Sequence, residues 1–237
     1  MSGEPHAPLI RRAGPDDAPA LAAVHAACWP AEHIAVEHIA RALALPNRVT
    51  LAAVSGGTLA GFVDGFLTTG ADGRRRWEVD LLAVHPAARG RGLGRRLIAA
   101  CTTAGTAFRP DCIRALIRVD NVASQRAFAA AGFAPQAPIC RLLVNTAGDD
   151  RGHEPPPGAH LVPVVTLTYR GVWIEGALLA EAFAAASDMR ARCGWDIAGC
   201  VIPLEGEALH AAVEAGYTAV GDFAWWLRTP AARASIH

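Results

Sequence analysis

The chain has 237 residues, 52% of them hydrophobic, ample for a buried core and suited to one large domain or one and a half small ones. Formal net charge is zero and the pI is about 7.1, so no broad electrostatic grip on nucleic acid or on an anionic membrane is expected. Every basic residue is Arg and none is Lys, which excludes a lysine nucleophile or Schiff base. The six cysteines form no C-x-x-C pair and no finger-like spacing with histidines, so free thiols and no metal site are expected. Residues 1–12 lack the apolar core of a leader, and no apolar run reaches the ~18 residues of a membrane span. A cytoplasmic protein is the expectation.

Residues 8–12 read as a strand, and Gly14-Pro15-Asp16-Asp17 opens a helix that Trp29-Pro30 ends. A second helix is predicted over 32–45. Strands follow at 48–54, 58–69 and 75–84, joined by the glycine-rich turns at 55–57 and 70–73. A glycine-rich loop, 89–94, feeds a helix to about 105; a strand over 112–118, a helix over 121–131 and last strands over 133–144 complete this part. Residues 146–160, with Pro155-Pro156-Pro157 and four glycines or aspartates before them, read as a semi-rigid linker. Beyond it the pattern restarts: strand 161–169, helix 176–192, strand 197–202, helix 204–215, strand 218–227. Ala131-Gly132-Phe133 matches Ala215-Gly216-Tyr217 at an offset of 84 residues, which also maps Gly92 onto Gly176. Residues 161–227 thus echo 77–143 as an internal half-repeat. The predicted organisation is a first domain at 1–145, a linker at 146–160 and a degenerate half-copy at 161–237.

Arg89-Gly90-Arg91-Gly92-Leu93-Gly94 lies between a strand and a helix, where backbone N–H groups and the helix dipole cradle an anion such as a pyrophosphate. The dinucleotide fingerprint fails, because the spacing is G-x-G-x-G after an antiparallel strand. The nucleotide phosphate loop fails for want of Lys.

Leu82-Ala83-Val84-His85-Pro86 followed by Arg89-x-x-Gly92-x-Gly94 resembles the acetyl-CoA signature of the GNAT superfamily of N-acetyltransferases. Asn121 through Gly132-Phe133 resembles that family's second motif, and Ile10 to Ala18 its opening. The resemblance covers residues 8–145 and implies a mixed α/β sheet whose fourth and fifth strands splay apart around acetyl-CoA. Leu82, Ala83 and Val84 would then bind the acyl and pantetheine groups. Arg89, Gly90, Arg91, Gly92, Leu93, Gly94 and Arg95 would hold the pyrophosphate. Asn121, Ser124 and Phe128 would form the other wall. The implied reaction is direct acetyl transfer to an amine of a small molecule or peptide.

That reaction needs a base, since a primary amine is charged at neutral pH, and donors for the developing oxyanion, here backbone N–H groups near Leu82. Glu78 is the first candidate for the base, at a position where a subset of the family carries a catalytic glutamate. Strand alternation places Glu78, Asp80 and Leu82 on one face, which makes Asp80 the second candidate. Phe128 stands where the family usually has a proton-donating Tyr, so that role is vacant; Tyr169 and Tyr217 lie in the second half. Cys28, Trp29, His33 and His38 fall in the region that helps line the family's acceptor pocket. In the second half Glu175 maps onto Arg91, so no CoA is expected there. Its four tryptophans suit a packed interface with the first half or, in a homodimer, with a second subunit. A non-catalytic acyl-CoA-binding module is the alternative reading.

Overall fold

The computed structural model describes residues 8–229; the readings made for residues 1–7 and 230–237 lie outside the described residues. The chain opens with β1 (Leu9–Arg12), α1 (Ala18–Cys28) and α2 (Val36–Leu43). The second helix is shorter than expected because Glu32 N bonds Trp29 O in a turn and Ala35 is extended, so the helix starts after it. The meander β2 (Arg48–Ser55), β3 (Thr58–Thr69) and β4 (Arg75–Val84) follows as predicted. Gly56 and Gly57, at φ 56° and 79°, make the two-residue turn that joins Ser55 to its partner Thr58. Then come α3 (Leu93–Gly105), β5 (Cys112–Arg118), α4 (Val122–Ala130), β6 (Ala134–Pro135) and β7 (Cys140–Asn145). The second half contributes β8 (Ala159–Val165), β9 (Arg170–Gly176), α5 (Ala180–Arg192), β10 (Ile197–Pro203), α6 (Glu207–Glu214) and β11 (Thr218–Arg228).

The expected strand over 161–169 is therefore a hairpin, and β9 was not foreseen. Its turn carries no Gly or Pro. Thr166 Oγ1 closes it instead, accepting from the backbone N–H of Thr168 at 3.1 Å and of Tyr169 at 3.0 Å.

All strands join one mixed sheet in the order β1-β2-β3-β4-β5-β11-β7-β10-β9-β8, with β6 paired to β11. Only β4/β5 and β9/β10 are parallel. From β3 to β8 the order reads alike from both ends. Hairpin β3–β4 matches β8–β9, β5 matches β10, and each of these inner strands pairs with the last strand of the opposite half: β5 with β11, β10 with β7. The central pair β11/β7 is antiparallel, as a local pseudo-twofold axis demands.

The repeat is thus present, but it starts at the counterpart of β3, and it needs a gap. At the helix ends the offset of 84 holds: Gly132 and Gly216, at φ 85° and 82°, let Phe133 N reach Phe128 O at 3.1 Å and Tyr217 N reach Ala212 O at 2.9 Å. At the helix starts it fails. Gly92 precedes α3, whereas Gly176 is the last residue of β9, because residues 85–92 have only residues 177–179 as counterpart.

The two halves share their cores. Leu167, at the β8–β9 tip and 1% exposed, packs among Leu21, Val24, Ile39 and Phe62 of the first half. Arg48 of β2 pairs with buried Asp64 and donates to Val165 O, and His38 Nε2 lies 3.1 Å from Thr166 O. Residues 146–158 are irregular yet anchored: Arg151 N and His153 N donate to Asp188 at 3.0 and 2.7 Å, and Arg190 donates to Gly148 O at 2.8 Å.

Candidate functional site

The parallel pair β4/β5 is joined only at Arg76–Cys112, Trp77–Ile113 and Glu78–Arg114. Past Glu78 the strands part, so the β5-facing backbone groups of residues 79–84 line an open wedge. A bulge sits at its apex: Val79 pairs with Gly65 and Leu82 with Val63, leaving one extra residue in β4. The bulge resets the alternation. Trp77, Val79, Leu82 and Val84 face α3, while Asp80, Leu81 and Ala83 face the other side. Leu82 therefore does not share a face with Glu78 and Asp80, correcting the expectation from strict alternation.

Beyond the wedge, residues 85–92 lead into α3, with Gly90 and Gly92 in the left-handed region at φ 76° and 71°. A Cβ at either glycine would meet nothing within 4 Å, so the loop borders open space. Gly92 caps α3 without a side-chain hydrogen bond, which leaves the first-turn N–H groups, including those of Leu93 and Gly94, free. Arg91 and Arg95 are exposed beside them, and Arg89 Nε donates to Val84 O at 3.0 Å, fastening the loop to the strand end. Arg96 is drawn away to Pro8 O. A diphosphate fits this cradle: donors and cations converge on space that side chains leave empty. On the far side Asn121 caps α4, its Oδ1 accepting from Ser124 N at 3.0 Å. Phe128 is buried and packs edge-on to Phe133, ring centroids 5.1 Å apart.

The two carboxylates of β4 differ in kind. Glu78 is 8% exposed and fully engaged: Arg114 Nε donates to both its oxygens at 2.8 and 3.0 Å, and Thr68 Oγ1 to one at 2.6 Å. Asp80 has no hydrogen-bond or ion-pair partner among the described residues. It is accessible to solvent through a cavity, yet protein surrounds it. Residue 80 is exposed to that cavity, and the protein crowding it, then the negative charges of Asp64 and Glu78, push its pKa up toward about 7 against the opposing pull of Arg48 and of the solvent that reaches it.

The cavity holds about 310 Å³ between the halves and is walled by Phe66, Asp80 and Ala115 from the first, and by Tyr169, Trp173 and Trp225 from the second. Tyr169 brings its hydroxyl to within electrostatic reach of Asp80, and burial and that negative charge raise its pKa. Trp173 Nε1 donates to the Tyr169 hydroxyl at 3.2 Å. Sequence reasoning gave Tyr169 no place in the site and missed Phe66, Arg114 and Trp225. The unforeseen hairpin carries Tyr169 in, and nothing in the local pattern announces that. Cys28, Trp29, His33 and His38 do not line this cavity: Cys28 Sγ donates to Val84 O at 3.3 Å, and Trp29 packs on His25.

Glu175 occupies no counterpart of Arg91. It lies on β9 and receives Arg76 at 2.7 and 3.0 Å, with Arg114 3.7 Å away, binding β9 to the first half. Trp173 and Trp225 line the cavity, Trp226 is buried beneath α3 and α4, and Trp195 packs on the second core, so all four tryptophans are used within the chain. Among the described residues no cluster could hold a metal ion, and no helix is long and apolar enough to cross a membrane.

No curated protein matches the chain. Among solved structures it is similar over nearly its whole length to a GCN5-related N-acetyltransferase from Sphaerobacter thermophilus, with 15% identity, 95% of this chain and 96% of that one covered, and a TM-score of 0.62. A tandem GNAT protein from the clavulanic acid biosynthesis pathway aligns at 14% identity, 94% and 98% coverage and a TM-score of 0.59. A ribosomal-protein-alanine N-acetyltransferase from Brucella melitensis aligns over 56% of this chain and 88% of its own, at 25% identity and a TM-score of 0.50. The full-length likenesses show the two-part fold. Residues 18–133 match the model of the acetyltransferase (GNAT) family, so this first half is a GNAT domain, of the superfamily whose cosubstrate is acetyl-CoA.

Proposed function

We propose that this protein is an N-acetyltransferase that moves an acetyl group to an amine of a small molecule or peptide by direct attack within a ternary complex. The observation that carries this reading is the placement of Asp80: a carboxylate without a hydrogen-bond or ion-pair partner among the described residues, at the bulge where the wedge and the inter-half cavity meet, in surroundings that raise its pKa. When bound, acetyl-CoA supplies the activated thioester. Gly90 to Arg95 would hold its diphosphate and Leu82 to Val84 would offer backbone groups to its arm. Asp80, rather than the engaged Glu78, takes the proton of the incoming amine, because a general base works best with a pKa near the ambient pH. Backbone N–H groups at the bulge would meet the developing negative charge. Phe128 donates no proton, and a thiol pKa of about 8.5 allows the sulfur to depart without an acid from the protein.

The test is thermal unfolding with and without acetyl-CoA, followed by thiol release across an amine panel. Stabilisation by acetyl-CoA, turnover by wild type and its loss in Asp80→Asn are expected. Stabilisation without turnover of any amine would instead select the acyl-CoA-binding module. No stabilisation of the folded protein would overturn the donor site.

A further inference from the structure

The inter-half cavity carries nine charged or aromatic side chains in its walls, and they sort cleanly. Arg76, Arg114, Glu78 and Glu175 neutralise one another. Arg76 grips Glu175 with two hydrogen bonds at 2.7 and 3.0 Å, and Arg114 grips Glu78 at 2.8 and 3.0 Å. Asp80 is left as the one carboxylate in the cavity without a partner among the described residues. The remaining surface is aromatic and apolar. Arg114 stacks on the Trp225 ring 3.9 Å from its centroid, and Trp173 is held by its hydrogen bond to Tyr169. Phe66, Val162 and Val164 form an apolar cluster against Trp173.

Resting on the acetyltransferase reading above, we propose that this cavity is the acceptor site and takes a small monoamine carried on an aromatic ring. Its ammonium pairs with Asp80 and its ring lies among Phe66, Trp173 and Trp225. The alternatives fit the cavity poorly. A polyamine needs several spaced acids, and one carboxylate is available. A free amino acid needs a cation for its own carboxylate, and both cavity arginines are engaged by glutamates. A volume of about 310 Å³ sits at the lower bound of small-ligand pockets, roughly 300–1,000 Å³, and suits a one- or two-ring amine better than a peptide. The reaction balances: the ammonium gives one proton to Asp80, the neutral nitrogen attacks the thioester carbonyl, and as the C–S bond breaks the second proton passes from the new amide nitrogen to the departing sulfur, so CoA leaves as the thiol and Asp80 returns its proton to solvent. The second half, which lacks a glycine loop, thus sets acceptor specificity.

The full chain is assayed by thiol release with phenethylamine and tryptamine against spermidine, phenylalanine and an Ala-led peptide, and acceptor binding is read from tryptophan fluorescence. The aromatic monoamines should exceed the others in kcat/KM by about ten- to a hundredfold. Val201→Phe, which fills the cavity from β10, should raise their KM by about tenfold or more while the thermal shift with acetyl-CoA persists. If that variant loses the shift by misfolding, Leu178→Trp fills the same cavity from the β9–α5 loop. Preference for spermidine, phenylalanine or the peptide, or an unchanged KM in a folded filled variant, overturns the acceptor class and leaves the donor site standing. Absence of any acetyl-CoA shift in wild type overturns the donor reading, and the acceptor proposal with it.

Discussion

The connections β4–α3 and β9–α5 occupy equivalent places in the two halves, and their differences explain why only the first is proposed as the donor site. The first spans residues 85–92, with Gly90 and Gly92 at positive φ and exposed arginines around the start of α3. The second is three residues long, and Glu181 adds negative charge to the first turn of α5. The strands before them differ as well. β4 carries a bulge and leaves β5 after three pairs, whereas β9 is regular against β8 and keeps four pairs with β10. The same order of elements thus yields an anion cradle and an open wedge once, and a closed wall once. The closed half contributes by position, presenting Tyr169, Trp173 and Trp225 to the site of the open one.

The largest effect that would sharpen this contrast is expected at Asp80. Asp80→Asn should lower kcat by about 10²–10⁴-fold while the acetyl-CoA shift is retained. In wild type, kcat/KM should climb through pH about 7 as Asp80 ionises, and the variant's profile should lack that step. A kcat within a few-fold of wild type would remove Asp80 from the chemistry and return attention to Glu78.

Next comes the joint between the halves. Leu167→Ala removes a buried side chain of the second half from the core of the first and should cost about 2–5 kcal/mol in chemical denaturation. A cost under about 1 kcal/mol would mean that the halves are energetically independent.

The donor loops are compared directly by a matched pair. Acetyl-CoA at about 100 times its Kd should stabilise the wild type by about 2.7 kcal/mol. Gly92→Glu should abolish that shift, because it adds a negative, strained residue at φ 71° in the cradle, while Leu179→Glu before α5 should leave it intact. Equal losses would mean that both loops bind the ligand.

The smallest effect is one of stability. The folded pKa of Asp80 lies above the unfolded value of about 3.9, so folding favours the protonated form. Its contribution is complete below the unfolded pKa and is lost as pH rises through about 7. Solvent reaches the carboxylate and screens this effect, so Asp80→Asn should raise Tm only slightly at pH 8 and leave it unchanged at pH 4. A lower Tm at pH 8 would show that the ionised carboxylate has a stabilising partner.

Local chemistry made much of this molecule legible in the sequence. Glycines at 90 and 92 require left-handed backbone and arginines mark an anion, so the loop declared itself before any fold was known. Gly132 and Gly216 close two helices in the same way, which exposed the repeat. Patterns of apolar residues located nearly all strands, and the hairpin at 166–169 escaped because a threonine side chain, not glycine or proline, turns it.

Other features were settled by contacts between distant segments. Glu78 and Asp80 are indistinguishable as acids two residues apart in a strand. Arg114 on β5 and Arg76 on its own strand leave one neutralised, and the bulge leaves the other alone beside buried Asp64. The insertion of β11 between β5 and β7 follows from pairing across halves, which no periodicity encodes. That exchange brings Trp225, and the β8–β9 hairpin brings Tyr169 and Trp173, into the cavity that Asp80 lines. The sequence by itself determined the left-handed glycines and clustered arginines of the loop at 89–95, because backbone conformation and charge are properties of a short segment. Only the tertiary structure decided which carboxylate is free and what surrounds it, because solvation and ion pairing depend on neighbours far along the chain.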